Sequence, residues 1–331
     1  MLRRLLFGAI LAAGLSASAV PARAAEIDNL LPEKTESVLF VNVKQLLESE
    51  LIKKFALGQV KQMLENNEDA QRMLKDLGID PMKDIDRVTA GFWGKDKDDM
   101  NGVAIIRGKF DLEKMFAAAE KEAKNNGDKL TIVKEGEFKL IKFTPENQPK
   151  AIFASAADEK TLIAGTDKKL VITALTAAKE KAKPALKKEV AAMLLKADEK
   201  ATMYIVGKST GEKVELPPNV NIPGVDTAKL AKQLEKLDNY NMTVRLTDEV
   251  NLEISMGMKD ADAADDFGDT LNQLIGTVKG FLPLIAGQQP NFKPIADEVS
   301  KNLKSKVKGS DVTLMLKITG DSIGKAVGGG D

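Results

Sequence analysis

The chain has 331 residues with 49 basic and 49 acidic side chains, 43% apolar residues, no histidine and no cysteine. The apolar share excludes a disordered chain, and the length has room for about two domains of ordinary size. The missing residue types exclude a Ser-His-Asp triad, a thiol nucleophile, an iron–sulfur cluster and any metal or haem site ligated by histidine or cysteine; the charge balance lacks the basic excess of a nucleic-acid binder.

At the N-terminus Arg3 and Arg4 precede an apolar run from Leu5 to Val20, followed by Ala22-Arg23-Ala24 and then Ala25. A basic head, an apolar middle and a small-residue A-x-A site predict a secretory signal peptide over residues 1–24, cleaved between Ala24 and Ala25. Loss of Arg3, Arg4 and Arg23 with this leader turns the 49-to-49 balance into a net charge of −3. Leu2 stands where a twin-arginine signal usually has a polar residue, which favours general secretion. Without cysteine there is no lipoprotein anchor. The most apolar later stretch, Leu271 to Gly287, is interrupted by Asn272, Gln273, Lys279 and Pro283, so no membrane anchor is expected.

Ser37 to Lys44 reads as a strand that leads into an amphipathic helix carrying Leu46, Leu47, Leu51, Ile52, Phe55, Val60, Met63 and Leu64, closed by Leu77 and Gly78 with Pro81 as a stop. Strands Val88 to Lys95 and Val103 to Lys109 follow, joined by a turn with Asn101-Gly102, a strong hairpin signal. Asp111 caps a helix through Leu112, Met115, Phe116, Ala119 and Ala123, and strand Leu130 to Lys134 comes next. Strands Phe138 to Phe143, Ala151 to Ala156 and Thr161 to Gly165 extend this as a meander, and Asp167 caps a helix running into the lysine-rich stretch from Lys179 to Pro184.

The second half repeats the order: a helix at Leu186 to Lys196, strand Thr202 to Gly207, a loop with Pro217, Pro218 and Pro223, and a helix capped by Asp226 through Leu237. A hairpin of Met242 to Leu246 with Val250 to Met256 precedes a long helical stretch from Asp260, broken by Pro283, Pro290 and Pro294, resumed to about Lys306 and followed by strand Val312 to Ile318. The expected fold class is therefore α+β: two tandem split βαβ (ferredoxin-like) halves with antiparallel sheets, the first extended by a β-meander. The boundaries are 25–180 and 181–331. An internal duplication explains the shared order; so does chance recurrence of a common arrangement.

The opening LPEKTESVLFVNVKQLLESELIKKF, followed by LKDLGIDPMKDIDRVTAGF, resembles secreted bacterial proteins of unknown function of the planctomycete type, which share an LP-x-x-T strand-helix head and a G-[IL]-D-P block. The resemblance covers about residues 30 to 95. It implies export and a multi-strand α+β fold, and no activity.

Chemical motifs are incomplete. Gly207-Lys208-Ser209 lacks the first glycine of a phosphate-binding loop, since Thr202 occupies that position; Gly320 to Lys325 misses the spacing, with Ala326 where the magnesium-binding hydroxyl belongs. Asp96, Asp98 and Asp99 crowd a hairpin tip and Asp260, Asp262, Asp265, Asp266 and Asp269 a helix start, but Ala264 and Leu271 break the calcium-loop pattern, and acids in a first turn complement the helix dipole. Asp84-Ile85-Asp86-Arg87 joins a helix stop to the strand with the single tryptophan, Trp93; turn hydrogen bonds and pairing of Arg87 with an acid account for it. No catalytic, cofactor-binding or metal residue is assigned and no cofactor is expected.

The composition favours an exported, non-enzymatic binding or interaction protein, whose partner is an unknown protein or small ligand met on a sheet face, an edge or the groove between the halves. The alternatives are a hydrolase working through two carboxylates about 5 to 9 Å apart, and a carrier of an apolar ligand lined by Leu271 to Ile285.

Overall fold

A computed structural model describes residues 27–58, 62, 74–75, 77–94, 99–125, 127, 129–145, 150–209, 211 and 226–327. The expected leader with Ala24 and Ala25, the hairpin-tip residues Asp96 and Asp98, and the loop of Pro217, Pro218 and Pro223 lie outside them.

Strand β1 (Ser37–Val41) ends at Asn42, whose side chain accepts from the Gln45 amide at 3.0 Å and starts helix α1 (Val43–Glu48). Two strands, β2 (Ile85–Trp93) and β3 (Asn101–Gly108), are followed by α2 (Leu112–Asn125). The meander is β4 (Leu130–Glu135), β5 (Phe138–Phe143), β6 (Ile152–Asp158) and β7 (Thr161–Gly165), and then come α3 (Lys168–Glu180) and α4 (Lys188–Leu194). The remaining elements are β8 (Met203–Lys208), α5 (Thr227–Leu234), β9 (Leu237–Leu246), β10 (Glu249–Met258), α6 (Ala261–Gln288), α7 (Lys293–Asn302), β11 (Lys304–Lys308), β12 (Asp311–Thr319) and α8 (Gly320–Val327).

The expected caps are present. Asp167 accepts from Lys169 N, Asp226 from Ala228 N and Lys229 N, and Asp260 from Ala263 N at 2.7 Å, each satisfying amides that a helix start leaves unpaired. Gly78 has the expected left-handed φ of +69°, with Ile79 N reaching Leu74 O and Gly78 N reaching Lys75 O, the bond pattern of a glycine-terminated helix.

All twelve described strands belong to one sheet in the order β11-β12-β10-β9-β8-β1-β2-β3-β7-β6-β5-β4, with every pairing antiparallel. This differs from two ferredoxin-like halves. A split βαβ unit needs its two strands parallel with a third between them, whereas β1 pairs directly and antiparallel with β2, Val38 opposite Gly91. The halves also share the sheet, because the other edge of β1 is taken by β8, with Leu39 opposite Ile205.

Side-chain alternation gives the sheet two covered faces. On one, Val38, Ile105, Leu140, Ile163, Tyr204 and Val206 lie beneath Val171 and Leu175 of α3 and Val190 and Leu194 of α4. Neighbouring positions of opposite parity, Ile106, Ile141 and Leu162, pack with Met115 and Ala119 of α2. Met256, Met258, Val312 and Leu314 pack under Ala264, Phe267 and Leu271 of α6. Leu175 and Val190, which lie on either side of the expected boundary at 180 and 181, occupy one cluster, and Asn29 donates to Ala182 O at 2.8 Å.

Three element ends differ from expectation. Leu237 opens β9 rather than closing α5, Pro283 sits inside α6, and residues 304–308 form an edge strand rather than a helix end. Proline removes one amide and strains the preceding turn, a cost the long flanking helix absorbs. The KSKVK pattern of β11 puts Ser305 and Val307 toward α6 and leaves three lysines outward, a charged edge that resists pairing with another chain.

Candidate functional site

The chain segment after β1 crosses toward the far half of the sheet. Gln45 Nε2 donates to Lys200 O and Thr202 Oγ1 at 3.2 and 3.1 Å, and Ser49 Oγ donates to Thr247 O at 3.3 Å. α1 ends at Ser49, and the helical segment that starts anew at Glu50 widens into a π turn at Ile52–Ala56, a rare geometry that recurs at functional sites. Where this turn meets α8 there is a cavity of about 490 Å³ lined by Glu50, Leu51, Lys54, Phe55, Asp248, Gly320, Asp321, Gly324 and Lys325. A second hollow of about 370 Å³, lined by residues including Asn42, Gln45, Ser49 and Thr247, lies against α1.

Two glycines bring the walls of the larger cavity together. A Cβ on Gly320 would stand 2.6 Å from Asp248 O and 2.7 Å from Leu51 Cδ2, and one on Gly324 would stand 2.8 Å from Phe55 Cζ. Gly320 N also donates to Asp248 O at 2.9 Å. Leu51 and Phe55 therefore form an apolar floor against the glycine face of α8, while acids and lysines form the rim. Glu50 lies 3.7 Å from both Lys53 and Lys54, all three well exposed, so these pairs hold the rim loosely.

The α8 wall is anchored from behind by Glu298 on α7. Its carboxylate accepts from Thr319 N at 2.6 Å, Thr319 Oγ1 at 2.5 Å and Ser322 Oγ at 2.8 Å. Burial pushes this carboxyl up, but the hydrogen bonds from Thr319 and Ser322 outweigh it and hold it below the usual carboxylate range.

The residues singled out from sequence are placed elsewhere. Asp260 is engaged as the α6 cap, while Asp262, Asp265, Asp266 and Asp269 are exposed along that helix. Among the described residues no three acids are grouped to hold a metal ion. Asp84 accepts from Asp80 N at 2.7 Å, as a turn residue would, and Asp80 pairs with Lys83 at 2.8 Å. Arg87 does not take the expected acid partner among the described residues; it lies exposed and opposite Arg107, which is held by Asp28 at 3.1 and 3.2 Å and by Thr161. The failed phosphate-loop match at Gly320 to Lys325 turns out to be the cavity wall. Its signal was the i, i+4 glycine pair, which marks a helix face approached closely by a neighbour.

A second surface stands out at the far end of α6. Its buried positions end at Ile275, and Val278, Phe281, Leu284 and Ile285, with Phe292 beyond, are exposed. Of the stretch from Leu271 to Ile285, which the carrier alternative would need as a cavity lining, the part up to Ile275 is packed on the sheet and the part from Val278 onward is an outward-facing tip. Among the described residues no helix is long and apolar enough to cross a membrane.

No protein-family model matches the sequence, and no curated protein or solved structure matches it either. What the fold and site define is a mixed α+β protein on a twelve-stranded antiparallel sheet with an amphipathic cleft at the junction of its halves.

Proposed function

We propose that this is an exported, non-enzymatic binding protein that takes a small ligand with an apolar body and a charged or zwitterionic end in the cleft between the π turn and α8. The observation that carries the reading is the cleft itself: about 490 Å³, with Leu51 and Phe55 as floor and side chains of both charge signs as rim. That volume is within the range of small-molecule sites, and an apolar lining with a few polar groups is their usual chemistry. Residues from both halves of the chain line it, which supports reading it as the groove expected between the halves. The lack of histidine and cysteine and the leader motif support the non-enzymatic and exported parts of the reading.

The test is a thermal-shift screen of amphipathic acids, amines and zwitterions against the wild type and a Lys54→Ala/Lys325→Ala variant. A ligand that raises the melting temperature of the wild type and loses that effect in the variant supports the cleft. Ligands that stabilise both equally place binding elsewhere, and chemical turnover of a bound ligand rejects the non-enzymatic reading.

A further inference from the structure

The first four turns of α6 bury one stripe against the sheet, and the same stripe runs on past Ile275 with no sheet beneath it. Val278, Phe281 and Ile285 continue it at three- and four-residue spacing, Leu284 widens it, and Phe292 adds a second ring where the chain turns back into α7. These side chains are 41–59% exposed. Together they present on the order of 400 Å² of apolar surface, the size at which a patch on a soluble protein marks an interaction site. On the back of this tip, Gly280 and Gly287 have open space around the position of a Cβ, so the tip is not packed against any described element there.

The charge around the tip is as uneven as its polarity. The chain as a whole carries 49 acids and 49 bases, yet between Asp269 on α6 and Asp311, which lies opposite Lys308 in the sheet, the only acids are Asp297 and Glu298, against Lys279, Lys293, Lys301, Lys304, Lys306 and Lys308. Both acids are already engaged: Asp297 pairs with Lys293 at 2.7 Å, and Glu298 accepts from Thr319 and Ser322. Lys304, Lys306 and Lys308 project from the edge strand that α6 crosses, where Ser305 Oγ donates to Asn272 Oδ1 at 2.6 Å. From Asn272 to Phe281 the helix advances about 13 Å, and Val307 lies against Gly268 a turn further back, so Lys304 is the edge lysine nearest the apolar tip, somewhat more than a Debye length away, and Lys306 and Lys308 lie further from it.

We propose that the α6–α7 tip docks on a lipid bilayer surface bearing anionic headgroups, with the Phe281 and Leu284 side chains inserted among the acyl chains and the β11 lysines held at the phosphate level. An exposed apolar end near the β11 lysines, which have no ion pair among the described residues, fits that boundary, because the hydrocarbon edge takes the apolar residues and the headgroups attract the lysines. A protein partner would be expected to meet the tip with charges of its own, whereas the tip from Thr270 to Ala296 offers only two lysines and no acid for a mixed-charge rim. The inference is independent of the cleft and does not need a ligand there.

Flotation of the purified protein with vesicles of phosphatidylcholine, and of phosphatidylcholine mixed with phosphatidylglycerol, tests it. The expected result is binding to the mixed vesicles that weakens with salt, falls about tenfold or more in Phe281→Asp/Leu284→Asp, and loses its anionic preference in Lys304→Glu/Lys306→Glu. Circular dichroism and the melting temperature show that each variant is folded. Failure to bind either vesicle, equal binding to both, or binding that survives Phe281→Asp/Leu284→Asp overturns the proposal. So does a dimer that forms without lipid and is abolished by the same substitutions, since the tip is then an interface between copies.

Discussion

Phe40 lies flat against Tyr204 directly across the β1·β8 pair, with ring centroids 4.8 Å apart and ring planes within 14°. One ring comes from each half of the chain, at the strand pair that joins them. Replacing the buried Tyr204 by alanine is expected to cost about 3–5 kcal/mol as a core cavity and replacing the half-buried Phe40 about 2–3 kcal/mol, with a coupling between the two of about 0.5–1.5 kcal/mol. A double-mutant cycle in urea measures both. Because the rings hold the two halves in one sheet, the wild type should unfold in a single transition; two separated transitions would contradict the shared core.

Stability should respond to pH at both extremes for identifiable reasons. Burial pushes the Tyr204 phenol up to about 12, so its contribution is complete below its unfolded pKa near 10 and is lost as pH rises from there through 12. Glu298 has the opposite sign: a carboxyl held below its usual range contributes stability above its unfolded pKa and loses it as pH falls through the folded value. Glu298→Gln should therefore lower stability near neutrality by about 1–3 kcal/mol and flatten the acid limb of the melting curve. In Tyr204→Phe the absorbance change of tyrosinate near pH 12 should shrink.

Lys181 ends α3 with φ +51°, the single described non-glycine residue in the left-handed region. Lys181→Gly should gain about 1 kcal/mol in chemical denaturation, since the strain of a Cβ there disappears. The exposed stretch that follows is the expected protease site. A chain nicked between Lys181 and Lys187 should nonetheless elute as one particle, because β1 and β8 remain paired and Val190 stays in the core of the first half.

Gly108 tolerates no side chain, since a Cβ there would stand 1.9 Å from the Asp84 carbonyl oxygen. Gly108→Ala should cost roughly 3 kcal/mol or more, because backbone rather than a movable side chain must give way. Gly280→Ala is the control: it has open space in the middle of α6 and should gain about 0.5–1 kcal/mol. Equal effects of the two in thermal denaturation would refute the packing around Asp84.

Calcium and chelator should each move the melting temperature by no more than about a degree, whereas removal of a structural metal would cost far more. Asp260→Ala should cost about 1 kcal/mol with or without calcium, as the loss of one cap hydrogen bond. A calcium-dependent stabilisation lost in this variant would make the acids of α6 ligands instead.

The helices and most strands were legible because their signals are local. Asp167, Asp226 and Asp260 sit before apolar stripes, and Gly78 is a turn residue whose backbone demand is its own; Asn101-Gly102, expected as the hairpin turn, instead opens β3 opposite Trp93 and Phe92, because the connection is longer than a two-residue turn. The pairing of β1 with both β2 and β8 was not legible, since the short apolar run VLFV pairs equally well with several partners and its register is decided by what packs above and below. Lys-rich β11 was hidden for a related reason: half of its positions face water, so it shows little apolar alternation. The cleft was hidden too. Glu50, Phe55 and Gly324 are remote in sequence, and only the close approach of Phe55 to a glycine on α8 brings them to one place.

The midline position of β1 has a consequence for the order of assembly. The strand made first has one edge taken by β2 and the other by β8, from the far half of the sequence. Until β8 arrives, that edge stays open and the Phe40 ring has no Tyr204 to cover it. Contacts of such long sequence separation form slowly. A chain threaded through a secretion channel in N-to-C order would thus carry an unfinished sheet for most of its passage, and the seam would close only after both halves had emerged.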